Sequence, residues 1–251
     1  VLHLSAKCGG IFLNSRKPAD LGVANALMGI NILNACNDNN IKNVYVLGST
    51  CSYPLNCPTP FKEDDLFNGS SEPTNVAYSD AKRFLFTLHD AFRKQYGFKG
   101  VKFIPENMYG KYDRFDLEDS HVIPALINKF VSAVKNDKQT VFCWGSGNAT
   151  RSFILAEDCA EVLLKTVFMN FDTALPINIG TGYEITIYDL AHLIGKLTGF
   201  TGEIVFTGEV SDGQPRRRLD VTRAKELLGW EAKTSLEDGL IKTIEWYKNN
   251  Y

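Results

Sequence analysis

Ser49 and Cys51 follow the apolar run "NVYVL" in the stretch "LGSTCSYP" (47–54), so a hydroxyl and a thiol stand two residues apart where a strand stops. In a parallel sheet, ligands bind beyond the carboxyl ends of the strands, and this placement sets both side chains toward such a ligand. A second pair, Tyr78 and Lys82 in "YSDAK", is spaced by four residues, which on a helix puts both on one face. A phenol titrates near pH 10 and is a poor proton-transfer group at neutrality, but an adjacent ammonium favours its phenolate. With Ser49 holding a carbonyl against the phenol, the set has the chemistry to reduce a ketone with a cofactor's hydride. Taken alone, the Tyr–Lys spacing is common, and a surface tyrosine above a solvated lysine satisfies it equally.

The elements that must position these groups alternate. Apolar, β-branched runs at 1–6, 43–48, 100–105, 140–143, 176–179 and 203–206 read as strands, and helical periodicity fills 20–38, 77–96, 120–136, 156–169, 186–198, 222–229 and 235–249. Such alternation predicts a parallel sheet with helices on both faces. The 251 residues, 44% hydrophobic and 22% charged, suffice for one or two domains. A net charge of -2 gives no electrostatic footprint for nucleic acid. No apolar run approaches the roughly 20 residues of a membrane helix. The six cysteines, Cys8, Cys36, Cys51, Cys57, Cys143 and Cys159, include no C-x-x-C pair and do not cluster with histidine. That spacing speaks against a metal site and for a reducing, cytoplasmic setting.

Seven segments extend the pattern: "HLSAKCGGI" (3–11), "LGSTCSYP" (47–54), "EPTNVAYSDAK" (72–82), "PENMYGKYDRF" (105–115), "SHVIPALINKF" (120–130), "WGSGNATRSF" (144–153) and "SDGQPRRRLDVTR" (211–223). With the Ser–Tyr–Lys set they resemble the extended, sugar-nucleotide-modifying branch of the short-chain dehydrogenase/reductase superfamily, and within it the GDP-L-fucose synthase family. "SHVIPAL", and "STC" next to "YP", carry the resemblance more specifically than Y-x-x-x-K does. It implies an α/β, Rossmann-like doubly wound parallel sheet with a smaller C-terminal α/β substrate domain. Residues 1–107, joined by 151–180, would belong to the NADP-binding domain, and 108–150 with 181–251 to the GDP-sugar domain.

The implied activity is 3,5-epimerisation of GDP-4-keto-6-deoxy-D-mannose followed by reduction at C4 with NADPH. Epimerisation requires an acid–base pair on opposite faces of the ring. By resemblance Cys51 is the base and His121 the acid, while Ser49, Tyr78 and Lys82 serve the reduction. NADPH would lie along Leu47, Gly48, Ser49, Thr50, Lys82, Pro105, Glu106, Asn107, Met108 and His121. The GDP-sugar would meet Lys129, Trp144, Arg151 and Asp220. The family's helices corresponding to 20–38 and 77–92 pair with their symmetry mates as a four-helix bundle, which implies a homodimer. From the residues alone, Cys51 also fits a small buried hydrophobe, His121 a helix-start residue bonded to backbone, and Lys129 a solvated lysine. The triple "RRR" (216–218) reads as a solvated loop from which Arg216 could reach the diphosphate.

Departures from the family pattern set further expectations. Glu106 stands where the family usually has threonine, and its carboxylate is expected to cost cofactor affinity; Lys129 replaces a frequent arginine, with loss of a bidentate phosphate fork. No G-x-x-G-x-x-G follows a strand, and the chain begins at Val1 directly in the apolar "VLHLSA". Two preceding βαβ units with the glycine loop are therefore expected outside these residues, without which cofactor binding and solubility should suffer. Two other functions fit the same residues: a related reductase or epimerase of another nucleotide sugar, and a catalytically dead sugar-nucleotide-binding domain.

Overall fold

The computed structural model describes residues 1–208 and 213–251; Ser211 and Asp212 of the "SDGQPRRRLDVTR" segment lie outside the described residues. In chain order the first half contains β1 (Leu2–His3), α1 (Ile11–Arg16), α2 (Pro18–Asp38), β2 (Tyr45–Leu47), α3 (Val76–Tyr96), β3 (Lys102–Pro105), β4 (Asn107–Tyr109) and α4 (Val122–Lys135). The second half contains β5 (Thr140–Cys143), β6 (Thr150–Leu155), α5 (Ala156–Phe168), β7 (Pro176–Ile179), β8 (Glu184–Thr186), α6 (Ile187–Thr198), β9 (Glu203–Phe206), β10 (Arg216–Arg217), α7 (Thr222–Leu228) and α8 (Leu236–Asn250).

The main sheet is parallel, in the order β1-β2-β3-β7, with Val46 opposite Lys102 and Phe103 opposite Ile177. Its central strands are covered on both faces, as a parallel sheet requires. Side chains alternate along β2: Tyr45 and Leu47 join one cluster with Phe103, Val162 and Ile177, whereas Val44 and Val46 join another with Leu33, Leu85 and Phe86. This is the doubly wound α/β architecture that the alternating pattern predicts.

A second group of strands stands beside it. There β4, β6 and β10 are parallel, and β8 runs antiparallel against β6. A parallel pair, β5 with β9, packs near α4, α6 and α8 around Ile127, Phe130, Leu190, Ile194 and Leu240. Helix termini follow local chemistry. Pro18 opens α2, where its missing N–H costs nothing, and α3 stops at Gly97, whose φ of 71° a glycine adopts without strain. Helices α2 and α3 lie in close contact because Gly29 has no Cβ; one there would sit 3.0 Å from a methyl of Leu85.

The expected strand at 1–6 is ordered as β1 over Leu2–His3 alone, and α1, β4, β8 and β10 are too short for periodicity to reveal. One buried network lies toward the carboxyl end of β7. Asn178 on β7 accepts from the Tyr53 hydroxyl (2.7 Å) and donates to the carbonyls of Phe61 (3.0 Å) and Asp220 (2.9 Å). It thereby ties the loop after β2 to the segment that follows β10.

Candidate active site

The end of β2 is a sharp turn. Gly48 donates its N–H to the Phe103 carbonyl (2.7 Å), and a Cβ on it would lie 2.5 Å from the Phe86 ring, so no larger residue fits. Ser49 is extended and caps the single helical turn Thr50–Ser52, its hydroxyl accepting from the Cys51 N–H at 3.2 Å. Two residues of α3 hold this turn from beside it. Ser79 donates its hydroxyl to the Cys51 carbonyl (2.7 Å), and Lys82 donates its ammonium to the Leu47 carbonyl (3.0 Å).

Tyr78 and Lys82 share a helix face as the spacing predicts, but their electrostatics differ from the sequence expectation. Burial is the largest influence on the Tyr78 phenol and raises its pKa; the charges of Cys51 and Cys8 add to this, while hydrogen bonding to Ser49 opposes it. Burial also lowers the Lys82 ammonium to about 8. The ammonium is spent on a carbonyl, so the expected drop in the phenol's pKa does not occur. Tyr78 keeps its proton at neutral pH, which suits a proton donor.

Ser49, Cys51, Tyr78 and His121 line one cavity of about 380 Å³, together with Gly48, Thr50 and the run Pro105, Glu106, Asn107 and Met108. His121 precedes the first turn of α4, extended and exposed, and its ring makes no capping bond. Nearby, burial raises the Asp113 carboxyl, against the Arg114 N–H and the charge of His121. Lys129, Trp144 and Arg151 border the same cavity. The Lys129 ammonium donates to the Phe142 carbonyl (2.8 Å) and sits 4.6 Å from the centre of the Trp144 ring, so it is not a freely solvated lysine. Burial lowers its pKa. Arg151 donates to the Thr150 carbonyl at 2.8 Å.

Three expected site residues are not among those lining the cavity. Leu47 contributes its carbonyl to Lys82 while its side chain joins the core, and Lys82 itself is only 4% exposed. Asp220 does not line the cavity; its carboxylate accepts the Thr222 N–H (2.9 Å) two residues on, beside the start of α7. Glu106 lines the cavity, yet its carboxylate accepts from the Thr181 N–H (2.8 Å), the Thr181 hydroxyl (3.1 Å) and the Gly182 N–H (3.3 Å). The charge expected to oppose a cofactor is thus bound by three donors. Arg216 does not reach toward the cavity either: it pairs with Glu184 at 2.7 Å.

Sequence reasoning missed Cys8, Gln214 and Arg217, which also border the cavity. The one signal for Arg217 was its adjacency to Arg216, since neighbours in a strand point to opposite faces. Among the described residues, no three His, Cys, Asp or Glu side chains converge as a metal site, and no helix is long and apolar enough to cross a membrane.

A strand-end serine, a helical Tyr–Lys pair and a doubly wound sheet define an extended short-chain dehydrogenase/reductase, and residues 1–180 match the model of the NAD dependent epimerase/dehydratase family. The chain belongs to that family. It is 40% identical over 250 residues to the GDP-L-fucose synthase of Sinorhizobium fredii, covering 100% of this chain and 79% of that protein. It is 38% identical to the GDP-L-colitose synthase of Yersinia pseudotuberculosis, covering 99% and 81%. The structure of a GDP-L-fucose synthetase from Naegleria fowleri bound to NADP superposes with a TM-score of 0.89 at 28% identity, over 100% of this chain and 77% of that one.

The lowered pKa of Lys82 has a consequence for stability. Unfolded, the ammonium titrates near pH 10.4; folded, near 8, so the unfolded chain binds the extra proton between those values. Stability should therefore rise with pH across that window. At pH 7 the burial penalty is about 3 kcal/mol by linkage. Lys82→Met is expected to be more stable than the natural protein at pH 7, with the gain shrinking toward pH 10.4, and to lose reductase activity. Urea unfolding at a series of pH values checks this; a gain that does not change with pH would contradict it.

Proposed function

We propose that the cavity performs 3,5-epimerisation of GDP-4-keto-6-deoxy-D-mannose and then reduces its C4 ketone, giving GDP-L-fucose. What supports this reading most is that Ser49, Cys51, Tyr78 and His121 border one cavity with the cationic Lys129 and Arg151. A two-step reaction on a single ring needs such proximity. The colitose synthase relative favours a second reading, in which the same groups act on another GDP-linked 4-keto sugar.

The donor set fits the nicotinamide end of NADPH. The hydroxyls of Ser49 and Tyr78 stand beside Pro105–Met108, and Glu106 has its charge satisfied by Thr181 and Gly182. When bound, NADPH supplies the hydride for C4. Ser49 hydrogen bonds the ketone oxygen, and Tyr78, still protonated, gives its proton to that oxygen as it becomes a hydroxyl. Lys82, one helical turn on, fixes the strand end through the Leu47 carbonyl. In the epimerisation Cys51 takes a proton alpha to the ketone, and the C–H electron pair moves into the enolate. His121 returns a proton to the opposite face. Lys129 and Arg151 meet the diphosphate, beside the Trp144 ring.

The protein is a homodimer in this proposal, through α2 and α3, with residues 1–107 and 151–180 as the cofactor half. Val23, Leu27 and Phe84 on those helices are 59%, 51% and 42% exposed, which a partner's matching helices would cover. All six cysteines are free, in keeping with a reducing cytoplasm.

Cys51→Ser should lose at least about a hundredfold in deuterium uptake at C3 and C5, the scale of one acid–base group. Tyr78→Phe should retain that uptake while NADPH oxidation falls by a similar factor. Equal loss of uptake in both variants would refute this division of labour. Light scattering at micromolar concentration should give twice the chain mass, and Leu27→Asp with Phe84→Asp should halve it. A monomeric mass for the natural protein would exclude the helix–helix dimer.

A further inference from the structure

The two residues of β10 lie opposite Thr150 and Arg151 on β6 and point to opposite sides. Arg216 leaves the sheet for Glu184. Arg217 turns inward, is 8% exposed, and donates from Nη1 to the Cys51 Sγ at 3.3 Å. Its Nε donates to the Gln214 side-chain oxygen at 3.2 Å. Gln214 is buried too, and its amide nitrogen donates to the carbonyls of Pro54 (3.2 Å) and Leu55 (2.8 Å), in the loop that follows Cys51. The guanidinium and the thiol are thus held by the same short stretch of chain, from both ends.

The charge balance of this corner is uneven. No carboxylate among the described residues lies within 4.0 Å of the Arg217 guanidinium, and the titratable groups that face Cys51 from other elements, the Cys8 thiol and the Tyr78 phenol, are both pushed up by burial and stay neutral at pH 7. A guanidinium keeps its proton at any ordinary pH, and a buried charge without a counter-charge is costly. The sulfur in contact with it becomes that counter-charge when it ionises, and a neighbouring cation favours thiolate over thiol.

We propose that Arg217 is a positioning residue that holds the Cys51 sulfur as a thiolate, aimed into the cavity, ready to accept a proton from carbon. This rests on the reading of Cys51 as the base of the epimerisation. The thiolate takes the proton, becomes a neutral thiol and leaves the enolate's negative charge in place of its own. Arg217 therefore stabilises the charge before transfer and holds the sulfur's position after it.

The test is the pH dependence of Cys51 alkylation by iodoacetamide, read on the Cys51 peptide by mass spectrometry because Cys8 and Cys57 also carry free thiols. In the natural protein the rate should reach half its maximum at least about one pH unit below the ordinary thiol value near 8.5. Arg217→Gln should move that midpoint up by about one unit or more, with alkylation at pH 7 roughly tenfold slower, whereas Arg217→Lys should restore most of the shift. A structural role alone would not discriminate between glutamine and lysine in this way. A midpoint in the natural protein at or above the ordinary thiol value overturns the proposal without recourse to any variant, so poor folding of Arg217→Gln does not shelter it. An unchanged midpoint in a folded Arg217→Gln overturns it equally. Deuterium uptake in Cys51→Ser separates the two claims. Retained uptake with a shifted alkylation midpoint removes Cys51 as base and leaves the Arg217–thiolate pair standing; lost uptake with an unshifted midpoint does the reverse.

Discussion

At the end of β2, the backbone carbonyls of Leu47 and Cys51 are each taken by a side chain from the start of α3, Lys82 at 3.0 Å and Ser79 at 2.7 Å. Tyr78 lies on the same turns of that helix. These two bonds tie the strand end to the helix, so the backbones that carry Ser49 and Tyr78 are held in register. Proton transfer needs reacting atoms within a few tenths of an ångström of their productive positions. A clamp between two regular elements supplies that more reliably than a loop could.

Around the clamp, the polar groups near the cavity are bound in ways that keep its chemistry directed. Glu106 spends its carboxylate on Thr181 and Gly182, and Gly180 has no Cβ because one would lie 2.2 Å from the Glu106 carboxyl carbon. Asn178 ties the loop after β2 to β7 and to Asp220. Burial holds the Tyr78 proton on and loosens the Lys82 proton, so the two groups move apart in proton affinity. That arrangement costs folding free energy and yields a phenol able to donate, a trade found where sites work under strain.

Much of this was legible in the sequence, for reasons that are local. Amphipathic periodicity marks helices such as α3 and α4, and a serine after "NVYVL" must fall at a strand end. The Tyr78–Lys82 spacing fixes a shared helix face. What escaped depends on contacts between distant segments. Arg216 and Arg217 are indistinguishable in a string of three arginines until the pairing of β10 with β6 assigns one to Glu184 and the other to Cys51. Glu106 looks like a liability until the 180–182 loop folds over it. Asp220 accepts from the Thr222 N–H outside the cavity lining, and the sign of the Tyr78 shift follows from burial, which no spacing reveals.

The central claim is that one cavity both inverts C3 and C5 and reduces C4. Incubating the protein with GDP-4-keto-6-deoxy-D-mannose and NADPH in heavy water tests it most directly. The expected product is GDP-L-fucose carrying deuterium at C3 and C5, with one NADPH consumed for each molecule formed. A reduced GDP-sugar that retains protium at both carbons would contradict it.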